Sequence, residues 1–183
     1  MLSPRISCIA GVAAGIVLLV PTECALAYPQ VEITQPSSAT RRVQFRIPSE
    51  IELRDSAYRA SAFRGRAILL ATRDSLPHNV GNSLRCASCH LDNGLRPNAM
   101  PWVGSYARFP QYRPRSGKVD LIEDRINDCF KRSMNGRALA PSGRDMRDVV
   151  AYLAFLSSGI PVGAQMEGQG LVRLKPLDGD LNR

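Results

Sequence analysis

Three segments of the chain place apolar residues at the spacing of an α-helix. They cover residues 55–72, 118–135 and 143–157. In the second segment, one helix face carries Ile122, Ile126, Cys129 and Phe130, which occupy positions i, i+4, i+7 and i+8. In the third, the apolar stripe consists of Met146, Val149, Val150 and Leu153. The pattern therefore predicts three helices and an all-α fold.

The remaining segments lack this periodicity. Residues 28–54 contain several prolines between short β-favouring pieces, which predicts an extended N-terminal arm. Residues 73–117 are rich in Gly, Pro, Asn and Ser and predict a long loop, and residues 161–183 predict an irregular C-terminal tail. Three helices around long loops provide little apolar core. We therefore expect a large prosthetic group at the centre of a domain over residues 55–160.

The first 27 residues have the features of a secretory signal peptide. Arg5 supplies a positive charge, residues 8–20 form an apolar run, and residues 25–27 provide a small-x-small cleavage site. The run is shorter than the roughly 20 residues of a membrane-spanning helix, so an uncleaved anchor is the weaker alternative. We predict an exported, periplasmic protein with no membrane span once residues 1–27 are removed.

The chain carries a formal net charge of +8, and its basic residues are dispersed rather than clustered. No nucleic-acid-binding motif accompanies this charge, so nucleic acid is not expected as a partner. A basic surface also suits small anions, acidic proteins or anionic lipid, and it equally serves solubility alone.

Removal of the predicted signal peptide leaves three of the five cysteines, namely Cys86, Cys89 and Cys129. An exported compartment is oxidising and favours paired cysteines. An odd number therefore means that one thiol is unpaired, or that the cysteines serve a purpose other than disulfide formation.

Cys86, Cys89 and His90 form a C-x-x-C-H motif, the attachment signature of c-type haem. In such sites the thiols form thioethers with the haem and the histidine is the proximal iron ligand. A zinc site would need two more ligands, and only His78 and Cys129 remain, at unsuitable spacing. A thioredoxin-like dithiol would need a βαβ context, which the pattern does not predict. We therefore predict one covalent haem c.

Several residues are candidates for the distal side of the iron. Cys129, which haem attachment leaves over, would either pack as a small hydrophobic residue or bind the iron. Met134 and Met100 are alternative thioether ligands, and Met146 and His78 complete the candidates. The residues alone leave this choice open.

Four segments resemble the haem-bearing, catalytic half of the thiosulfate dehydrogenase family of c-type cytochromes. They are LPHNVGNSLRCASCHLDNG, FPQYRPRSG, LIEDRINDCFKRSMNGRAL and MRDVVAYLAFLSSGIPVG, and the resemblance covers roughly residues 55–165. The C-x-x-C-H motif is common to all c-type cytochromes, whereas RINDCFKRSMNG is much more specific. The sulfur-oxidation cytochromes with a cysteine-ligated haem are similar in outline.

The resemblance implies a class I-like cytochrome c domain and roles for three residues. Cys129 would be the distal haem ligand, at the place where thiosulfate reacts, and Arg115 and Arg125 would line the same site. Arg125 and Cys129 are four residues apart and so share one helix face. Forked arginine hydrogen bonds suit a sulfur dianion, although three neighbouring acidic residues offer Arg125 an ordinary ion pair instead.

One departure from the family bears on function. Typical members of that family carry two haems, and this chain has a single C-x-x-C-H motif. Joining two thiosulfates as tetrathionate releases two electrons, whereas one haem iron stores one, so we expect a redox partner protein such as another cytochrome. The sequence predicts a monohaem cytochrome that oxidises or conjugates thiosulfate or a related sulfur anion.

Other functions remain open at this point. The chain would be a non-enzymatic electron-transfer cytochrome if Met134 or Met100 bound the iron, or it would be the haem subunit of a sulfur-oxidation complex. A haem-based sensor would need an output module, for which we find no segment.

Overall fold

The structure, a computed structural model, describes residues 42–172 of the chain. The predicted signal peptide, most of the predicted arm and the last part of the predicted tail lie outside these residues. The helices are α1 (Ser56–Leu70), α2 (Thr72–Ser75), α3 (Ile122–Asp128) and α4 (Arg144–Phe155). Short 3₁₀ turns lie at Glu50–Glu52, Cys86–Ser88 and Tyr106–Arg108, and a π-helical turn at Cys129–Ser133 follows α3 directly.

Two small sheets complete the described part of the chain. Strand β1 (Arg42–Val43) pairs in parallel with β4 (Gln165–Met166). Strand β2 (Gln111–Arg113) pairs in antiparallel fashion with β3 (Lys118–Asp120). These strands are only two or three residues long, so helices make up most of the regular secondary structure in the described residues, in agreement with the predicted all-α class. Within residues 42–172, no helix is both long and apolar enough to cross a membrane.

The core lies where α1 packs against α4. The predicted stripe of α4 is buried at Met146, Val149 and Leu153, whereas Val150 is only partly buried. Helix α1 contributes Ala62, Ile68 and Leu69 to the same core. The apolar face of each helix therefore covers that of the other, which is the main source of helix stability in globular proteins.

Gly65 allows the two helices to approach closely. A Cβ atom at this position would lie 1.9 Å from the carbonyl oxygen of Asp148 and 2.4 Å from its carbonyl carbon. The backbone of α1 therefore touches the backbone of α4, and any side chain larger than hydrogen would force the helices apart.

Asp148 adds hydrogen bonds and an ion pair to the same helix crossing. Its carboxylate accepts hydrogen bonds from Arg64 Nε at 2.8 Å, from Arg64 Nη2 at 3.0 Å and from Ser61 Oγ at 2.5 Å. Burial raises the pKa of Asp148, but the hydrogen bonds from Arg64 and Ser61 outweigh it and leave the pKa below the ordinary value. The buried carboxylate is thus ionised and fully bonded, as buried charges in proteins must be.

The predicted helix over residues 118–135 begins later than expected. Its first residues form β3, which pairs with β2 in the register Gln111 with Asp120 and Arg113 with Lys118. The α-helix starts only at Ile122, where Asp124 accepts a hydrogen bond from the backbone N–H of Leu121 at 2.9 Å. The prediction of a helical start at 118 was wrong because the hairpin satisfies the backbone of these residues instead.

The first predicted helix, over residues 55–72, is also divided. Asp55 caps α1 by accepting a hydrogen bond from the backbone N–H of Tyr58 at 2.6 Å. The helix ends at Leu70, because Ala71 has φ −125° and ψ 52°, and α2 then starts at Thr72. This break turns Thr72 toward the segment that carries Cys86.

We expect Gly65→Ala to destabilise the protein by about 3 kcal/mol, because the methyl group overpacks the helix crossing. Helix propensity alone predicts the opposite sign, since alanine favours a helix over glycine by about 1 kcal/mol. Ala60→Gly, at an exposed position of α1, measures that propensity term. Guanidinium unfolding gives both values, and a Gly65→Ala variant as stable as the parent would contradict the backbone contact.

We expect Asp148→Asn to cost about 2 kcal/mol at pH 7, the scale of hydrogen bonds to a charged group. The folded-state pKa of Asp148 lies below the ordinary value of an aspartate side chain. The stabilisation by the Asp148 carboxylate is therefore complete above the ordinary pKa and is lost as the pH falls through the lower folded-state pKa. The difference in unfolding free energy between parent and variant should shrink in acid. Asp145→Asn, an exposed change on the same helix, is the control and should leave the pH profile unchanged.

Candidate functional site

A cavity of about 230 Å³ lies beside the helix crossing. Helices α1 and α4 contribute Leu69 and Leu153 to its wall, and α3 with its π-helical turn contributes the predicted face Ile122, Ile126, Cys129 and Phe130. The rest of the wall comes from residues within the segment 100–113, together with Cys86, His90 and Gly170. The cavity therefore brings Cys86, His90 and Cys129 together from distant parts of the sequence.

The C-x-x-C-H motif is held by a 3₁₀ turn at Cys86–Ser88. The backbone N–H groups of Cys89 and His90 donate to the carbonyl of Cys86 at 3.2 and 3.1 Å. Cys86 lines the cavity, and burial raises the pKa of its thiol to about 11. Cys89 is exposed and does not belong to the cavity wall, and neither thiol forms a disulfide within the part of the chain that the structure describes.

Thr72 positions the start of this turn. Its hydroxyl accepts a hydrogen bond from the backbone N–H of Cys86 at 3.0 Å and lies 3.4 Å from the Cys86 sulfur. Thr72 is fully buried at the end of the helix-crossing core. The motif is thus tied directly to the end of the helix-crossing core.

His90 is oriented through its Nδ1 atom, which makes a short contact with the carbonyl oxygen of Met100. A carbonyl oxygen can only accept, so Nδ1 carries the proton and Nε2 is the nitrogen available for a metal. The ring lies 5.5 Å from that of Trp102, centroid to centroid. Burial lowers the pKa of His90, which favours the neutral form that metal ligation requires.

Cys129 begins the π-helical turn that follows α3. Its carbonyl accepts from the backbone N–H of Met134 at 3.0 Å, five residues on, rather than from the fourth residue as in an α-helix. Arg125 Nη1 donates to the Cys129 sulfur at 2.8 Å. Arg125 makes no ion pair with its three acidic neighbours within the described residues: Asp124 pairs with Lys118, Asp128 pairs with Arg113 and Lys131, and Glu123 forms no salt bridge.

Two further arginines, Arg108 and Arg113, line the same cavity and were not among the predicted site residues. Partial burial lowers the pKa of Arg108, and the nearby charges of Arg113 and Arg125 lower it further. Arg113 lies 3.6 Å from Asp120 and 3.8 Å from Asp128. In the sequence, Arg113 lies within the segment FPQYRPRSG and Arg108 lies just before it, which is the only hint of a role for either residue. The segment reaches the cavity through the hairpin of β2 and β3, which was not predicted.

Arg115 lies in an adjoining outer cavity of about 310 Å³ rather than in the main one. Arg113 and Arg125 line both cavities, and Arg132 and Asp128 also line the outer one. The predicted pair Arg115 and Arg125 therefore meets at the outer cavity, and Arg125 alone of the two reaches Cys129.

The other candidate iron ligands occupy different places. Met134 is 3% exposed, packs in the core and does not line the cavity. Met100 lines the cavity, but its carbonyl lies on the Nδ1 side of His90, away from the nitrogen available for a metal. Met146 is fully buried in the helix crossing. His78 is exposed and is not part of the cavity wall.

The chemistry of the wall fits a haem group. Most of the wall is apolar, including Leu69, Trp102, Phe109 and Phe130. Ser105 Oγ and Arg113 Nη1 are buried polar atoms of lining residues and have no hydrogen-bond partner within residues 42–172. Buried polar atoms normally have partners, and the carboxylates of a haem would supply them.

Comparison with known proteins agrees with this geometry. Residues 78–162 match the family described as SoxA/TsdA, cytochrome c domain. The chain therefore contains a SoxA/TsdA cytochrome c domain. The matched residues contain the C-x-x-C-H motif, all three site arginines of the main cavity, Arg115 and Cys129. Haem c is the group that this domain implies, which agrees with the predicted cofactor.

Curated relatives of the family are named thiosulfate dehydrogenase. The protein of Allochromatium vinosum is 44% identical over 136 residues, which is 72% of this chain and 50% of the relative. That of Psychrobacter arcticus is 39% identical over 137 residues, 75% of this chain and 42% of the relative. The chain thus spans half or less of the length of these relatives.

A solved structure has the same fold. Thiosulfate dehydrogenase (TsdBA) from Marichromatium purpuratum, in its "as isolated" form, superimposes with a TM-score of 0.68 at 33% identity. The alignment covers 76% of this chain and 31% of that one. The described fold is therefore that of one domain of a larger assembly in this relative.

Proposed function

We propose that this chain is an exported monohaem cytochrome c that oxidises or conjugates thiosulfate, or a related sulfur anion, and passes the electrons to a partner protein. The carrying observation is the contact of Arg125 with the Cys129 sulfur, at the wall of the cavity that also contains Cys86 and His90. It supports the proposal because a cysteine sulfur, a guanidinium group, one proposed attachment cysteine and the proposed proximal ligand border one cavity.

Cys86 and Cys89 would hold the haem through thioether bonds, with His90 as the proximal ligand. When bound, the haem would accept electrons one at a time and release them to a partner. Cys129 is the proposed distal ligand, because the cavity wall includes its side chain and excludes that of Met134. The backbone hydrogen bond of His90 gives the ring a fixed orientation, as is common for metal-bound histidine.

The arginines would recognise the substrate. Thiosulfate carries two negative charges, and guanidinium groups bind such anions through paired, charge-assisted hydrogen bonds. Arg108 and Arg125 form no ion pair within the described residues, so their charges are available to a ligand. Arg115 would guide the anion through the outer cavity toward Arg125.

Cys129 supports a sulfur-exchange step that needs no outside oxidant. Its thiolate would attack the central S–S bond of tetrathionate, a new S–S bond would form to Cys129, and thiosulfate would leave with the electron pair. The reverse step, attack of thiosulfate on this adduct, would release tetrathionate and restore the thiolate. Arg125 would stabilise the charged sulfur in both directions.

Net oxidation needs a partner. Two thiosulfate dianions give one tetrathionate dianion and two electrons, and a single haem can take only one of these at a time. The relatives are longer than this chain, and the TsdBA assembly contains a larger chain than the part matched here. A second redox protein, such as another cytochrome, would collect the electrons.

The first test concerns the iron ligand. If Cys129 binds the iron, Cys129→Ala should replace the low-spin ferric spectrum of thiolate ligation with a different one, seen by optical and electron paramagnetic resonance spectroscopy. Met134→Leu is the matched control and should leave the ligand-dependent features in place. An unchanged spectrum in Cys129→Ala would remove the main support for the enzyme and would favour a simple electron carrier.

The second test concerns the substrate. In an assay of thiosulfate oxidation with an artificial one-electron acceptor, Arg108→Ala and Arg125→Ala should each raise the half-saturating thiosulfate concentration at least roughly tenfold, since a charged hydrogen bond contributes about 1.5–3 kcal/mol. Arg54→Ala removes the same charge from an exposed position outside both cavities and should have no such effect. Absence of thiosulfate oxidation in the parent protein, with and without partner cytochromes, would refute the proposed activity.

A further inference from the structure

We propose that the C-terminal strap, residues 168–172, is a positioning element for His90. The strap holds the backbone of residues 98–100, so that the carbonyl of Met100 remains on Nδ1 of His90. Through this carbonyl it sets how strongly His90 donates to the iron, and with it the midpoint potential of the haem. The inference rests on the part of the proposed function that puts haem on His90, and it is independent of the chemistry at Cys129.

Backbone hydrogen bonds join the strap to residues 98–100 along its length. The N–H of Asn98 donates to Gly168 at 2.6 Å, that of Met100 to Gly170 at 2.7 Å, and that of Val172 to Asn98 at 3.2 Å. Ala99 and Leu171 form an antiparallel bridge between the two segments. Met100 is therefore held by the strap through its backbone N–H, while its carbonyl faces His90.

Residues 98–100 have a backbone that needs such support. Asn98 has φ 59° and Met100 has φ 53°, both in the left-handed region. This region is unfavourable for a residue with a long side chain such as methionine, and it persists where the surroundings hold it. Without the strap, Met100 would relax to a more favourable conformation and its carbonyl would turn away from His90.

The strap is anchored at one end and open at the other. Before it, β4 pairs with β1, and the N–H of Glu167 donates to Val43 at 2.9 Å. Gly168 packs against Pro97, where an added Cβ would lie only 2.7 Å from the Cβ of the proline. Leu171 and Val172 are 63% and 60% exposed. The strap is thus fastened mainly by backbone hydrogen bonds, which makes it one of the easier parts of the fold to open.

Loss of the contact between Met100 and His90 should change the haem midpoint potential in a defined direction. A carbonyl that accepts the Nδ1 proton makes the imidazole a stronger donor, which stabilises ferric over ferrous iron. Loss of this contact should therefore raise the midpoint potential, by about 59 mV for every tenfold loss of preference for the ferric state.

Two glycines provide a matched pair of variants. Gly170 has φ 91° and Gly163 has φ 79°, and an added Cβ meets nothing within 4 Å at either position. Alanine therefore brings a similar backbone cost at both places, but only Gly170 accepts the hydrogen bond of Met100 and lines the main cavity. Faster exchange of the His90 Nδ1 proton, which reports the Met100 contact itself, is therefore the deciding result. We expect Gly170→Ala to raise the potential and to speed solvent exchange of the His90 Nδ1 proton, measured by NMR, whereas Gly163→Ala changes neither.

Truncation gives an independent test. A chain ending at Glu167 lacks the strap, and a chain ending at Val172 keeps it while lacking the residues beyond. The first should show the higher potential and the faster exchange, and the second should match the full chain. Equal values for both truncations, or equal shifts for both glycine variants, would overturn the proposal. Haem content is measured first, because failure to attach haem would refute the proposed function rather than the role of the strap.

Discussion

The backbone contact between α1 and α4 at Gly65 is the constraint on which the rest of the site depends. It sets the distance between the two helices, and Leu69 and Leu153, which face each other beyond it, form part of the cavity wall. The same core ends at Thr72, whose hydroxyl holds the backbone of Cys86. A shift of one helix relative to the other would therefore move the attachment motif as well as the wall opposite to it. The fold and the site share one set of contacts.

The core also explains why a cofactor is expected from so few helices. Apolar side chains such as Trp102 and Phe130 pack on the core and at the same time face the cavity. A bound haem would fill the apolar space that these side chains border and would add its own apolar surface to the interior. Haem attachment and folding are then linked, because a covalently held haem buries its apolar surface only in the folded chain.

Sequence patterns predicted the parts of this arrangement that depend on local rules. The stripe Met146, Val149 and Leu153 and the face shared by Ile122 and Cys129 follow helical spacing, and the structure buries or directs them accordingly. The hairpin of β2 and β3 was missed because its strands are three residues long and are specified by pairing rather than by alternation. Arg108 and Arg113 were missed with it, since their approach to Arg125 depends on long-range folding. The bend at Ala71, which aims Thr72 at Cys86, has no periodic signal either.

The π-helical turn at Cys129–Ser133 divides one helical segment into a part that lines the cavity and a part that packs in the core. Upstream of it, α3 keeps Arg125 and Cys129 four residues apart on the cavity side. Downstream, the wider turn changes the angular register, so that Met134 enters the core instead of the cavity. Arg125 and Cys129 therefore line the cavity, whereas Met134 packs in the core. The proposed ligand Cys129 is modular in this sense: its side chain can be exchanged, and the proposed reactivity of the protein changed, without repacking the interior that holds the domain together.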